Sequence, residues 1–208
     1  FLNYSYNFER LINSEALPSP STRYVMAKTS VKKLALLGYQ KVGIDHFAKP
    51  SDSLVKASKQ GRLHRNFQGY TDDNCKTLIG FGASAISKFP EGFSQNAVST
   101  AAYNARISNG GLAGHKGYRM HGDDVMIARM IEMLMSDFLI DIEEIKENFA
   151  TCQKPEHYIN LILTDFSEAL EQKNNKIALK PGHEELVRII ASALDAQSID
   201  YAQHSSAI

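Results

Sequence analysis

Along the first half of the chain, segments with helical hydrophobic spacing alternate with short apolar runs that glycine or proline ends. Hydroxyl residues at positions 19, 21 and 22 precede one helical segment, and Gly38 follows it as a typical C-terminal stop. Residues 39–44 then alternate like a short strand, which cannot continue as a central strand through Pro50. A helix, a tight turn and a strand form half of a β/α unit, so the pattern predicts an α/β fold.

Three further segments complete this half. Residues 51–60 are predicted to form a short helix that Gly61 ends. Residues 64–71 are too polar and aromatic for a core and too dense in functional side chains for a linker, so we predict a loop that forms part of a site. Residues 78–86 are predicted to form a buried strand that enters a glycine-rich bend.

Helical spacing dominates from residue 97 onward. Helices are predicted over residues 97–107, 123–139, 142–149 and 155–172, with a breaker at residues 109–111. Asn174 and Asn175 predict a small hairpin, and Pro181 then opens a last helix. A helix, a two-stranded hairpin and a helix in this order make a winged-helix-like ending.

Composition excludes several classes of function. The 23 basic and 23 acidic residues cancel, so no overall field attracts nucleic acid or an anionic membrane. Glu184 and Glu185 open the last helix and also disfavour DNA binding there. No apolar run approaches the roughly 20 residues that span a bilayer. Cys75 and Cys152 lie 77 positions apart, which fits neither a metal site nor a secreted disulfide framework and favours a reducing cytoplasm.

The predicted site loop carries side chains suited to a planar or carboxylate-bearing ligand. Phe67 and Tyr70 offer stacking surfaces, and Asn66 and Gln68 offer amides. Arg65 offers a fork that matches a carboxylate. A hydrogen-bonded loop in which Phe67 and Tyr70 only fill space is an equally open alternative from spacing alone.

Histidines suggest one further candidate contact. Asp45 and His46 follow a predicted strand, and a carboxylate beside an imidazole can fix its tautomer. Adjacent strand residues point in opposite directions, so a purely structural polar role for one of them is the alternative. His115 and His121 lie among glycines, and we predict a mobile surface loop rather than a metal site there. The methionines of residues 120–135 have helical spacing and are predicted to fill a core.

Three blocks resemble one enzyme family in both order and separation. They are GIDHFAKP at residues 43–50, GRLHRNFQGYT at residues 61–71 and GFGASAIS at residues 80–87. The RNFQGY run is the most specific of them, and residues 93–96 are similar to a later family block. On these blocks the chain resembles the C-terminal part of the oxygen-independent coproporphyrinogen III dehydrogenases (oxidases), which are radical S-adenosylmethionine enzymes of haem synthesis.

The resemblance implies a fold and a reaction. Residues 1–95 would form the C-terminal portion of a partial β/α (TIM-like) barrel, and residues 96–208 a mainly α-helical domain with a small winged-helix-like hairpin. The family enzyme uses a four-iron four-sulfur cluster and S-adenosylmethionine. It oxidatively decarboxylates two propionates of coproporphyrinogen III to vinyl groups and so gives protoporphyrinogen IX. The resemblance does not identify the electron acceptor.

The family pattern also implies roles for individual residues. Phe67 and Gln68 would approach a second S-adenosylmethionine or the substrate, and Ile86 would pack against the adenine of the cluster-bound S-adenosylmethionine. These are positioning roles, and no catalytic residue is assigned within the chain. The further candidates for facing the substrate are Asp45, His46 and Arg65.

The cysteine content departs from the family pattern. The cluster takes three thiolates from a CxxxCxxC run, whereas this sequence has two cysteines. We therefore expect residues 1–208 alone to be inactive and to bind neither cluster nor S-adenosylmethionine tightly. Phe1 is interpreted as an artificial or truncated start, and a severed barrel would expose strand edges that favour self-association. The alternative function is a non-catalytic porphyrin- or haem-binding relative, or a truncated remnant.

Overall fold

The computed structural model describes residues 17–149 and 155–195, which form seven α-helices and ten strands. The helices are α1 (Pro20–Leu36), α2 (Ser53–Lys59), α3 (Thr100–Ser108), α4 (Asp124–Asp137), α5 (Ile142–Asn148), α6 (Pro155–Asp165) and α7 (Val187–Leu194). The strands are β1 (Gln40–Val42), β2 (His46–Ala48), β3 (His64–Asn66), β4 (Gly69–Thr71), β5 (Ile86–Phe89), β6 (Gly92–Asn96), β7 (Gly114–Arg119), β8 (Leu139–Asp141), β9 (Leu170–Lys173) and β10 (Lys176–Leu179).

The chain folds into two compact units. Of the described residues, one unit contains 17–25 together with Cys75–Met120, and the other contains Met26–Asn74 together with 121–149 and 155–195. No helix of the described residues is long and apolar enough to cross a bilayer.

The first predicted helix is confirmed as α1. Ser19 Oγ accepts a hydrogen bond from the Thr22 amide at 3.2 Å. At the other end Gly38 has a φ of 81°, and the Tyr39 amide donates to the Leu34 carbonyl at 3.0 Å, which is a typical glycine stop. None of the residues of α1 is buried, so the apolar face that its spacing predicts does not pack into a core of the described residues.

Two small hairpins, β1–β2 and β3–β4, lie in the second unit. The prediction that residues 39–44 form half of a β/α unit is wrong, because β1 turns back at once and pairs antiparallel with β2. Gly43 in the turn has a φ of 57°, a conformation that glycine adopts without steric cost. Among the described residues every strand pairing is antiparallel, whereas neighbouring barrel strands are parallel.

The larger core of the second unit lies between α4, α5, α6, α7 and the sheet β8–β10–β9. The predicted methionine core is confirmed, since Met126, Met130 and Met133 are buried in it. Asn174 and Asn175 form the predicted turn between β9 and β10, both with positive φ.

Two predicted helix boundaries in this unit are wrong. The helix predicted to run to residue 172 ends at Asp165, because Leu170–Lys173 pairs with β10 as a strand. The last helix begins as a short 3₁₀ turn at Glu184–Leu186 rather than at Pro181.

The first unit contains the antiparallel sheet β5–β6–β7 and α3. The predicted buried strand over residues 78–86 is wrong, because Ile79 and Phe81 are 53% and 88% exposed and the strand begins only at Ile86. Gly82 has a φ of 105°, so the chain bends where the strand was expected. The predicted mobile loop around His115 is also wrong, because β7 pairs with β6 there.

Candidate active site

The β3–β4 hairpin presents Phe67 and Gln68 at its turn. Asn66 Oδ1 accepts hydrogen bonds from the amides of Gln68 at 2.8 Å and Gly69 at 3.2 Å, so the Asn66 side chain fixes the turn. Gln68 is exposed, and Phe67 is 43% exposed. The alternative in which Phe67 and Tyr70 only fill space therefore does not describe Phe67, whereas the Tyr70 side chain is buried. The turn holds two large side chains at the surface on a fixed backbone.

Tyr70 anchors this hairpin. Its ring is buried, and its hydroxyl donates to the Met135 carbonyl at 2.7 Å. The same hydroxyl accepts from the Ile44 amide at 2.9 Å. The Met135 carbonyl belongs to the last turn of α4, where carbonyls lack helical partners. One phenol therefore links α4, the β1–β2 turn and the β3–β4 hairpin.

Three predicted site residues lie close to the Tyr70 ring or to one another. The Arg65 guanidinium lies over the ring, with Cζ 4.8 Å from its centroid. His46 meets the ring edge-on at a centroid distance of 4.9 Å. Asp45 Oδ1 accepts a hydrogen bond from His46 Nδ1 at 2.8 Å. The structure thus brings Asp45, His46 and Arg65 together.

Asp45 is held by a second partner from a distant part of the sequence. Arg188 Nη2 on α7 donates to Asp45 Oδ2 at 2.6 Å. Partial burial raises the pKa of the Asp45 carboxyl, but the His46 hydrogen bond and the charges of Arg188 and Arg65 outweigh it, so the pKa lies below its ordinary value. Both Asp45 oxygens therefore accept hydrogen bonds as a carboxylate, which orients the His46 ring.

A second polar network joins the start of β3 to α4. His64 Nδ1 lies 3.0 Å from Glu132 Oε1, and Arg129 Nη1 donates to Glu132 Oε2 at 2.9 Å. Arg129 also donates to both carboxylate oxygens of Glu144, at 2.7 and 3.2 Å. Burial raises the pKa of Glu132, but the hydrogen bonds from His64 and Arg129 outweigh it and the pKa is lowered. This network fixes His64 at the base of the hairpin.

Ile86 is a predicted site residue in the sheet β5–β6–β7. It is the first residue of β5, pairs with Gln95 of β6 and is partly buried. It belongs to the first compact unit, whereas Phe67 and Gln68 belong to the second. Near it, Asn96 Nδ2 donates to the carbonyls of Gly80 and Gly82 at 3.1 and 3.0 Å and so holds the glycine-rich bend.

Comparison with curated proteins gives consistent matches over nearly the whole chain. It is 39% identical over 199 residues, 95% of its length, to the oxygen-independent coproporphyrinogen III oxidase of Paracoccus denitrificans. It is 37% identical over 201 residues to the enzyme of the same name from Cereibacter sphaeroides. The chain is homologous to the oxygen-independent coproporphyrinogen III oxidases. No family model matches it.

A solved coproporphyrinogen III oxidase also shares the fold. The Escherichia coli structure, described as a radical SAM enzyme, superposes with a TM-score of 0.82 at 28% identity over 91% of this chain. The chain spans 44% of that structure and 44% of the Paracoccus and Cereibacter oxidases. Less than half of each full-length oxidase is therefore represented in these 208 residues.

The residues present do not fit the iron–sulfur cluster of a radical enzyme. The sequence holds two cysteines, fewer than the three thiolates such a cluster takes from its protein. Cys75 is exposed, and Cys152 lies outside the described residues. Across residues 17–149 and 155–195 no group of three His, Cys, Asp or Glu side chains could hold a metal ion. Cluster ligands of an oxidase are therefore not supplied by these residues.

Several residues that shape the site were not predicted. Arg188 is 143 positions from its partner Asp45, and no local pattern connects them. Glu132 and Arg129 lie on α4 among core methionines. Their opposite charges three residues apart were the sequence signal that could have predicted this ion pair. Gly43 was predicted to lie within a strand over residues 39–44, although a glycine between two apolar segments is a typical signal for a turn with positive φ.

Proposed function

We propose that this chain is the C-terminal part of an oxygen-independent coproporphyrinogen III oxidase and supplies one wall of its substrate site. The observation that carries the proposal is 39% identity to such an oxidase over 95% of the chain. A TM-score of 0.82 to the Escherichia coli oxidase supports it independently through the fold.

The reaction proposed for the whole enzyme is the oxidative decarboxylation of two propionates of coproporphyrinogen III to vinyl groups, which gives protoporphyrinogen IX for haem synthesis. When bound, the four-iron four-sulfur cluster and S-adenosylmethionine supply the radical chemistry. Because the sequence has two cysteines, the cluster ligands would come from outside these residues, and residues 1–208 alone would be inactive. We place the reaction in the cytoplasm, where exposed Cys75 would stay reduced.

Phe67 and Gln68 are proposed to contact a second S-adenosylmethionine or the substrate. Their exposure at a turn that Asn66 and Tyr70 hold in place supports this role, because a fixed backbone positions a ligand contact at low entropic cost. Ile86 is proposed to pack against the adenine of the cluster-bound S-adenosylmethionine. Its position beside the Gly80–Gly82 bend, where small residues permit close approach, supports that role.

Asp45, His46 and Arg65 are proposed to face the substrate as a group. The Asp45 carboxylate accepts from His46 Nδ1, which leaves the opposite ring nitrogen of His46 for another partner. Their mutual contacts around Tyr70 support one shared function rather than three unrelated ones.

The finer architecture is also proposed. The order β8, α5, α6, β9, β10, with β10 central in its sheet, supports a winged-helix-like element within the mainly helical residues 96–208. Residues 1–95 are proposed to belong to the C-terminal portion of a partial β/α barrel. Because their described strand pairs are antiparallel, these hairpins would lie at the rim of its parallel strands.

A chimeric enzyme tests the proposed function. These 208 residues replace the matching segment of the Paracoccus oxidase, and anaerobic conversion of coproporphyrinogen III is measured. We expect a rate within about tenfold of the parent, a barrier change of ~1.4 kcal/mol. The Cereibacter segment, 37% identical to this chain, serves as the matched control.

The outcomes separate the proposal from its alternative. A chimera that folds, holds its cluster and gives no product, beside an active Cereibacter chimera, would overturn the catalytic proposal. Retained coproporphyrinogen binding in such a chimera would instead support the non-catalytic porphyrin-binding relative. Loss of binding and turnover together would fit a truncated remnant.

A further inference from the structure

Arg65 is a partly buried cation whose hydrogen-bond donors have no acceptor among the described residues. Its Nη1 atom is shielded from solvent and has no hydrogen-bond partner. The contact that the structure shows for the guanidinium is with the face of the Tyr70 ring. A guanidinium carries five N–H donors in a fixed fork, so this arrangement leaves strong donors unmatched.

Four other described arginines show how such donors can be satisfied, whereas Arg23 Nε is, like Arg65 Nη1, shielded from solvent and without a partner. Arg62 donates to Gln60, and Arg106 donates to the Gly114 carbonyl. Arg129 and Arg188 each bind carboxylates. Arg65 differs from these four although it is partly buried, where unmatched donors are most costly.

The neighbouring carboxylate does not fill this role. Asp45 lies close enough for the charge of Arg65 to lower its pKa, yet its two oxygens accept from His46 and Arg188. The Arg65 guanidinium lies over the Tyr70 ring, and Arg65 pairs directly with Tyr70 across the hairpin. The guanidinium is therefore fixed in position before an anion arrives, which lowers the entropic cost of binding.

We propose that Arg65 binds a ligand carboxylate, and that this carboxylate is a propionate of the tetrapyrrole. The identity of the tetrapyrrole rests on the proposed function, whereas the presence of a carboxylate site rests on the Arg65 geometry. A guanidinium fork matches the two oxygens of a carboxylate, and coproporphyrinogen III carries such groups. The carboxylate of S-adenosylmethionine has the same chemistry and is the second source that the experiment must separate.

Two measurements test the inference, the first on the 208-residue chain and the second on the Paracoccus chimera described above. In the first, ¹⁵N-labelled protein is titrated with sodium propionate, and the Arg65 Nε–Hε signal is assigned from its loss in Arg65→Lys. Sodium chloride at equal ionic strength is the control, and the Arg62 signal is the internal reference. We expect propionate to shift the Arg65 signal selectively. An Arg65 signal that responds equally to chloride and propionate would overturn the carboxylate site.

The second measurement identifies the source of the carboxylate. Coproporphyrin III, its tetramethyl ester and S-adenosylhomocysteine are titrated against the Paracoccus chimera with Arg65 intact, taken as the wild type, and against its Arg65→Gln, Arg65→Lys and matched control Arg62→Gln variants. We expect Arg65→Gln to weaken coproporphyrin binding about tenfold or more, with less loss in Arg65→Lys, no loss in Arg62→Gln and no effect on the ester. Unfolding curves of each variant confirm that the fold is retained.

Each result decides one part of the inference. A loss confined to S-adenosylhomocysteine would overturn the propionate assignment while supporting the carboxylate site. Equal affinities of the wild type and Arg65→Gln for coproporphyrin would overturn the propionate assignment too. A chimera with Arg65 intact that binds no porphyrin, while propionate still shifts the Arg65 signal of the 208-residue chain, would count against the proposed function and leave the carboxylate site standing.

Discussion

The Tyr70 ring occupies the space that a side chain at residue 43 would need. A Cβ atom on residue 43 would clash with the Cζ and hydroxyl oxygen atoms of Tyr70, because it would lie closer to them than van der Waals contact allows. Gly43 is buried and has a φ of 57°, so both space and backbone conformation require glycine there. This contact joins the β1–β2 hairpin, which carries Asp45 and His46, to the hairpin that carries Phe67.

Gly43→Ala is expected to destabilise the second unit more than Gly61→Ala. Both glycines have positive φ, but a Cβ at Gly61 would meet no atom within 4 Å. Gly61→Ala should cost roughly 1–2 kcal/mol from the backbone alone. Gly43→Ala should cost about 1–3 kcal/mol more, because Tyr70 must move. Urea unfolding measures both, and equal losses would show that the Tyr70 contact carries no energy.

Tyr70→Phe is expected to cost about 1–3 kcal/mol of unfolding free energy, although it keeps the ring. The change leaves the Met135 carbonyl and the Ile44 amide without their hydroxyl partner. Tyr158→Phe is the matched control, since its hydroxyl lies 3.3 Å from Asp123 and makes one long bond. The control should lose less than ~1 kcal/mol. Thermal unfolding that ranks the two variants in the opposite order would rule out the bridging role.

Glu132→Gln is expected to lower the free energy of unfolding at neutral pH. It is also expected to make that free energy depend less on pH below neutrality. The pKa of Glu132 in the folded state lies below the ordinary value of 4.5. The Glu132 carboxylate therefore contributes its full stabilisation above pH 4.5, and this stabilisation is lost as the pH falls through the folded-state pKa. Removing charge-assisted hydrogen bonds to His64 and Arg129 should cost about 1.5–3 kcal/mol at pH 7. The difference from the wild type should shrink as the pH falls below 4.5.

The control for this experiment is Glu156→Gln. Glu156 pairs with Lys146 at the surface, and both side chains are more than half exposed. Its change in unfolding free energy should therefore be smaller than that of Glu132→Gln at pH 7. Unfolding curves between pH 3 and 7 give the comparison. A Glu132→Gln difference that stays constant down to the lowest pH would contradict the sign of the pKa shift.

The elements that the sequence predicted correctly have strong local signals. α4 has core methionines at helical spacing, α5 follows the capping residue Asp141, and the β9–β10 turn has two adjacent asparagines. β7 was missed because its glycines and charges give no strand alternation, and pairing with β6 decides its structure. The opposite error was made at residues 78–85, which were predicted to form a strand. Positive φ angles at Gly82 and Ser84 bend the backbone there despite the apolar run.

The candidate site was predictable only where its residues are close in sequence. The loop predicted over residues 64–71 is a hairpin, and its turn presents Phe67 and Gln68 as a ligand-binding loop should. That Tyr70 gathers Arg65 and His46 depends on packing between two hairpins, which periodicity does not reveal. Self-association through strand edges stays a prediction, and the charged side chains on the edge strand β7 would oppose it.

The most direct measurement of the central claim is the turnover of the Paracoccus chimera that carries Gln68→Ala. Because Gln68 is exposed at the hairpin turn, the substitution should change stability by less than ~0.5 kcal/mol. The account predicts at least about a 100-fold loss of coproporphyrinogen III turnover, since the side chain positions a ligand. Gln172→Ala, an exposed glutamine on β9, should leave turnover unchanged. A Gln68→Ala chimera as active as the Gln172→Ala chimera would contradict the account.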